Sequence, residues 1–392
     1  MIWSSLRPGL LVLAVSCAAT HAPPRRAQLR ADWESYVHGY VQGDGRVIDQ
    51  TMGAQSTSEG QAYAMLRAVW AGDREGFERL RTWTRDNLQG ADADALPAWR
   101  WGARPDGTWG VLDTQPAADA DLLISWSLLL AAERWDMPAW RAQALALARR
   151  VWDEETAELP VGRVLLPGPW ARDMEPMWLN PSYFMPFVFR ALAVHDPDHD
   201  WAALTDSSYR LLERWLDAHP VPPDWLFLDP RTGEDVNPPE GEEQRTDFGF
   251  EAVRVPWILA AELRWFDEPR ARRLLTRMDL LAERFTRDGR VPAILTATGE
   301  PRVTWESRAL YGSLLPGWAD LHPDLVPKLL DRLDELPEDP ALPQDVEPAR
   351  RSPLAPRARP IAPQQGRDYY AKNWIWFGEA LWSGVARPLE HP

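Results

Sequence analysis

The chain is expected to fold as an all-α protein, on three observations. Apolar residues recur at helical spacing over most of its length, residues 122–132 are apolar nearly all round, and no stretch sustains an alternation of period two. A striped helix covers one neighbour, whereas a helix apolar on every side must be surrounded. Both kinds in one chain, joined by short links, suggest two concentric layers. An α/α barrel has that architecture. A helical solenoid has it too, although no repeat of fixed period is present.

Taken in order, the elements begin with an export signal. Arg7 supplies a weak positive charge, and Leu10 opens an apolar run (LLVLAV) too short to span a bilayer. Cys17, the sole cysteine, ends it. The run Ala14-Val15-Ser16-Cys17 resembles a bacterial lipoprotein cleavage box, which would make residues 1–16 the signal peptide and Cys17 the lipidated residue. Ordinary cleavage after Ala22 is the alternative. Either route implies an exported protein, periplasmic or secreted, and the first an outer-membrane lipoprotein. The mature chain has no disulfide despite an oxidising destination, so a large core must hold it.

Residues 17–32, with Pro23, Pro24, Arg25 and Arg26, read as a linker, and 33–392 as one domain. Ala62, Met65, Leu66, Val69 and Trp70 form a helical stripe, with Thr57 or Ser58 available as N-cap. Phe77, Leu80 and Leu88 continue into a second helix. The all-round apolar segment follows, then stripes at Trp140, Ala144, Leu147 and Val151 and at Leu204, Leu211, Leu212 and Trp215. Further helices are expected over 252–266, 271–286, 307–319, 324–335 and 369–383. Residues 337–367 cannot be helical, because eight prolines interrupt them. They read as a long surface loop.

Composition narrows the function. A net charge of -15 with no long Lys/Arg run argues against a nucleic-acid partner. The 23 tryptophans suit either an aromatic core or a groove that stacks flat sugar faces. Phosphate-loop, dinucleotide, zinc-protease and serine-hydrolase motifs are absent, so no cofactor and no metal is expected. His195 to Asp200 (HDPDHD) could bind a metal, but Pro197 and the polar run read as an exposed interhelical loop.

Carboxylates at helix starts remain. Glu59 follows Ser58 where a helix begins, Asp119 and Asp121 precede the buried helix, and Glu251 opens another. Helix dipoles alone draw acids to such places. As a set they suit glycoside hydrolysis, which needs one carboxyl to donate to the leaving oxygen and a second group to activate water or attack the sugar.

The residues around these acids resemble glycoside hydrolase family 8, in its branch encoded with bacterial cellulose synthase. Ser58-Glu59-Gly60-Gln61-Ala62-Tyr63 is similar to the family's SEGQ(G/S)Y motif. Leu96-Pro97-Ala98-Trp99 with Trp101-Gly102, then Ala117-Ala118-Asp119-Ala120-Asp121, follow in the family's order. Asn180-Pro181-Ser182-Tyr183, Pro223-Asp224-Trp225 and Phe250-Glu251-Ala252-Val253-Arg254 continue it, and Tyr369-Tyr370 fits more loosely.

The resemblance implies an (α/α)6 barrel and an inverting endo-β-1,4-glucanase acting on cellulose. On it Glu59 is the general acid, Glu251 the base, and Asp119 stabilises the sugar being cleaved. Trp99, Trp101, Tyr183 and Arg254 would line the cleft, with Tyr63 and Asp121 as further substrate contacts. The expected partner is a β-1,4-glucan, with a functional link to cellulose synthase and membrane contact only through a lipid on Cys17. A monomer is expected. Three positions depart from the pattern. Ala118 replaces Ser or Thr, Ser125 replaces Ala, and Glu251 stands where the branch has Asp, leaving Asp247 as an alternative base. The alternatives in function are a family 8 hydrolase of chitosan, xylan or mixed-linkage glucan, and a weakly active glycan-binding homologue.

Overall fold

A computed structural model describes residues 22–90, 92, 94–337 and 369–389. The export signal, Cys17 and all but the first residue of the Pro-rich segment lie outside these. The described residues contain thirteen α-helices, most of them in two rings. The inner ring is α2 (Ser58–Ala71), α4 (Ala118–Trp135), α6 (Pro186–His195), α8 (Val255–Phe266), α11 (Arg308–Leu321) and α13 (Tyr369–Trp382). Each packs on the next, and α13 packs back on α2. The outer helices are α1 (Arg26–Tyr40), α3 (Arg74–Thr84), α5 (Pro138–Glu154), α7 (Trp201–Ala218), α9 (Pro269–Arg277) with α10 (Leu280–Asp288) after it, and α12 (Val326–Glu335). Outer helices cover inner ones in chain order, from α3 on α2 to α12 on α11, and α1 covers α13 and α2. This is the (α/α)6 barrel.

The stripes explain the layers. Residues 122–132, apolar all round, lie in inner helix α4, buried throughout. The stripe of α7 faces inward from the outer ring. Large rings fill the barrel axis. Trp70 meets Trp126, Trp126 meets Phe187, Phe187 meets Trp257, Trp257 meets Trp374 and Phe377, and Phe377 meets Trp70, with centroids 4.8–6.1 Å apart. Aromatic pairs of this kind add about 0.5–1.5 kcal/mol each beyond their buried area. Helices α11 and α13 approach more closely still: a Cβ on Gly378 would lie 2.0 Å from the Gly312 carbonyl oxygen.

Some boundaries differ from expectation. The linker expected to residue 32 gives way to α1 at Arg26, because Leu29 and Trp33 already belong to its buried face. Leu88 sits in a π-helical turn, Arg85–Gln89, that prolongs α3. The helix expected over 271–286 is two, with Asp279 at the break bonded to His322 Nε2 at 2.9 Å. Three small antiparallel sheets decorate the barrel: β1 (Ser56–Thr57), β2 (Arg100–Ala103) and β3 (Trp109–Asp113); β4 (Thr156–Leu159) and β5 (Gly162–Leu165); β6 (Met177–Leu179) and β7 (Leu226–Leu228). The turn between α6 and α7 is the interhelical loop expected, with Pro197, Asp198 and Asp200 exposed, except at one residue. Asp196 is fully buried there and accepts from Arg149 Nε at 2.9 Å and Trp201 Nε1 at 3.0 Å. Among the described residues no group of three His, Cys, Asp or Glu side chains is placed to hold a metal ion, and no helix is long and apolar enough to cross a membrane.

Candidate active site

The N-terminal ends of several inner helices meet at one end of the barrel. Helix α2 starts there because the Thr57 side chain accepts the Gly60 N–H at 3.0 Å, as an N-cap should. Ser58 is tied to the Trp99 carbonyl by a 3.0 Å bond, and Gln61 Oε1 takes the Val47 N–H at 2.6 Å. Glu59 is therefore held in the first turn with its side chain about one-fifth exposed. Helix α4 has no side-chain cap; the Ala118 N–H donates to the Pro167 carbonyl instead, at 3.2 Å. A hydroxyl is thus not needed at 118 to close that end. Ser125, the second departure, donates to the Ala144 carbonyl at 2.8 Å and ties α4 to α5.

Arg254 is the centre of the arrangement. It lies one 3-10 turn after Glu251 and immediately before α8, so the two side chains share a face. Its Nη1 donates to Asp119 Oδ2 at 2.8 Å, to Glu59 Oε2 at 3.2 Å and to the Tyr63 hydroxyl at 3.4 Å. Its Nη2 pairs with Glu251 Oε2. One buried guanidinium thus gathers three carboxylates from three elements. Asn180 Nδ2 also donates to Glu251 Oε2, at 3.1 Å, and the Tyr369 hydroxyl to Glu59 Oε1 at 3.4 Å.

Burial sets the electrostatics. It pushes the Asp119 carboxyl up to about 6, against the pull of Arg254 and with the help of Glu59. Burial weakens the Arg254 cation, but Tyr63, Tyr370, Asp119 and Glu59 together hold it well above its ordinary value. Asp121 and Glu155, both fully buried, face one another. No well-aligned donor reaches their oxygens among the described residues. Burial first, then neighbouring acid charge, raises both far above the carboxylate range. Two bare anions in such a place would be prohibitive, so the pair keeps a proton between its carboxyls.

An open cleft of about 800 Å3 lies over the carboxylates. Glu59, Asp119, Glu251, Trp99, Trp170, Tyr183, Trp225 and Tyr369 are among its lining residues. Five of the residues expected at the site are therefore brought to it: Glu59, Asp119, Glu251, Trp99 and Tyr183. Four do not line the cleft. Arg254 and Tyr63 lie behind the wall, 2% and 1% exposed, and act on the carboxylates rather than on the cleft. Asp121 points to Glu155. Trp101 packs on Trp83 and Trp109, with the Arg46 guanidinium 4.5 Å from its ring; a register slip between Arg100 and Trp101 tightens the local twist there. Asp247, the alternative base, is held by Arg302 Nε at 2.9 Å and is not a lining residue.

Trp170 and Glu155 escaped the sequence reading, and nothing in their local pattern marks them. Asn180, Trp225 and Tyr369 lay within matching motifs, so the signal was present without a role. The Nε1 donors of Trp99 and Trp225 are buried without a partner among the described residues, so both rings meet the cleft with their apolar faces and edges.

Comparison with known proteins finds similar sequences and folds. An endoglucanase of Xanthomonas axonopodis pv. citri is 36% identical over 286 residues, covering 70% of this chain and 72% of that protein. An endoglucanase of Pseudomonas fluorescens is 40% identical over 185 residues, but the match spans only 46% of either chain. The crystal structure of an endo-1,4-D-glucanase from Vibrio fischeri superposes with a TM-score of 0.75 at 27% identity, over 90% of this chain and 94% of that one. The profile of glycosyl hydrolases family 8 matches residues 2–307, and with three carboxylates gathered under an aromatic cleft at the head of an (α/α)6 barrel, the chain belongs to that family.

Proposed function

We propose that the protein is an inverting endo-β-1,4-glucanase acting on cellulose or a related β-1,4-glucan. The observation that carries this is the set Glu59, Asp119 and Glu251, joined through Arg254 beneath an open cleft walled by Trp99, Trp170, Tyr183 and Trp225. Aromatic faces suit the flat apolar faces of β-linked glucose, and an open cleft suits attack within a chain. Glu59 is the most exposed of the three acids and donates the proton to the leaving oxygen. Glu251, steered by Asn180 and Arg254, takes a proton from the attacking water. Asp119 faces the sugar at the point of cleavage and offsets its developing positive charge. Export, and work beside the cell's own cellulose assembly, belong to the same reading.

Glu59→Gln keeps the shape and removes the donor. On a soluble cellulose derivative it should lose kcat by about 10²-fold or more, while still binding cello-oligosaccharides. Equal activity would sink the assignment of the acid. Glu251→Ala should nearly abolish hydrolysis and Asp247→Ala should not. NMR during early turnover should show inverted anomeric configuration, and retention would replace the water-activating base with a nucleophile. Chitosan, xylan and mixed-linkage glucan, assayed in parallel, test the substrate.

A further inference from the structure

The segment that carries Glu251 hangs on one side chain. Asp224 Oδ1 accepts the backbone N–H of Gly249 at 3.0 Å, of Glu251 at 3.1 Å and of Ala252 at 2.8 Å. Three donors on one oxygen hold this side chain to the main chain, and when the carboxyl is ionised the bonds are charge-assisted and stronger than neutral ones of the same length. Asp224 is itself fixed. It is buried, its N–H donates to the Asp247 carbonyl at 2.7 Å, and the next N–H donates to the Arg245 carbonyl at 2.9 Å. Burial pushes its carboxyl up to about 7, against the N–H groups of Ala252 and Gly249 and the charge of Arg254.

The fit is close. A Cβ on Gly249 would lie 2.6 Å from Asp224 Oδ2, so glycine is what lets the backbone settle on the carboxylate. The Tyr370 hydroxyl holds the intervening Phe250 carbonyl at 2.8 Å. Asp224 is not a cleft-lining residue. It reaches the chemistry only through the main chain under Glu251 and the turn that leads to Arg254.

We propose that Asp224 is a positioning residue for hydrolysis, a backbone clamp that fixes the root of the Glu251 side chain. The inference rests on the reading of Glu251 as the base. A glutamate has one more rotatable bond than an aspartate, so its carboxylate depends more on a fixed root. A displacement of about 1 Å at such a group costs on the order of 10²-fold in rate.

The test compares wild type, Asp224→Ala, Asp224→Asn, Gly249→Ala and Glu251→Ala on a soluble cellulose derivative, with cellohexaose binding measured separately. Asp224→Ala should lower kcat by about 10²-fold and leave KM and cellohexaose binding nearly unchanged. Asp224→Asn keeps an acceptor oxygen at the same place and should recover most of the loss. Gly249→Ala, which displaces the carboxylate while leaving it in the protein, should also lower kcat with binding retained, and serves if Asp224→Ala does not fold. The clamp is overturned if Asp224→Ala or Gly249→Ala turns over normally, if kcat and binding fall together, or if Asn is as damaged as Ala. An active Glu251→Ala overturns the base and the clamp together. An inactive Glu251→Ala beside an active Asp224→Ala removes the clamp alone.

Discussion

Replacing Arg254 by Met keeps the side chain's bulk and removes the one cation shared by Glu59, Asp119 and Glu251. The Arg254 and Asp119 side chains are each 3% exposed and Glu251 is 11% exposed, so water can do little to replace the lost charge. Breaking a buried pair by removing one partner typically costs about 3–5 kcal/mol. Asp119 already stands at about 6 with Arg254 present, and losing the cation drives it higher. Asp119 then protonates in the folded state, and its folded pKa exceeds the unfolded one by still more. Stability of that kind is complete below the unfolded carboxylate range near 4 and drains away as pH rises through the folded value. The deficit of Arg254→Met should therefore be small at pH 4.5 and reach about 3–5 kcal/mol by pH 7.5. Urea unfolding followed by tryptophan fluorescence at both pH values measures it. Arg30→Met is the control, since Arg30 pairs with Glu34 at the surface and such a pair is worth at most about 1 kcal/mol. A deficit that does not change with pH, or one no larger than the control's, would refute the reasoning.

Two further predictions concern the neighbours of that centre. Glu155→Gln removes one titrating group from the pair with Asp121 and gives Asp121 an N–H donor. Because both acids are raised in the folded protein, wild type should lose stability as pH climbs above about 5, by up to about 1.4 kcal/mol per unit for the shared proton. The variant should lose less between pH 5 and pH 8 in urea titrations, and parallel curves would contradict the shared proton. Trp99→Ala strips one wall of the cleft while leaving the carboxylates in place. With an aromatic face worth about 1 kcal/mol, KM for cello-oligosaccharides should rise several-fold with kcat little changed, and an unaltered KM would remove Trp99 from the binding surface.

Much of the barrel could be read from residue spacing, because a helix announces itself whenever one face is apolar. The stripes of α2, α5 and α7 and the all-apolar α4 needed nothing else. Helix α6 was not among the expected helices, although Pro186 at its first position is where a proline favours a start. The small sheets were missed because strands of two to five residues are too short to show a period. At the site, Glu59, Asp119 and Glu251 were legible as a set. What could not be read is direction. Asp121 and Asp119 are two residues apart on a helix, so they point to different sides, one to Glu155 and the other to Arg254. The slip at Arg100 and Trp101 is likewise a property of the paired strands and leaves no trace in either one.

The pocket draws on both ends of the molecule. Glu59 stands in the first inner helix, and the hydroxyl it faces belongs to Tyr369, 310 residues later, in the last. Arg254 reaches back 135 residues to Asp119 and 195 to Glu59. The entropy of closing such loops grows only slowly with their length, so the burden falls on time more than on stability. A growing chain carries Glu59 for most of its synthesis without the wall opposite it. No fragment that stops short of the thirteenth helix holds the complete cleft, and the ring itself stays open until that helix docks between α11 and α2. A complete cleft therefore requires α13 to be docked against α2, however the rest of the barrel has formed.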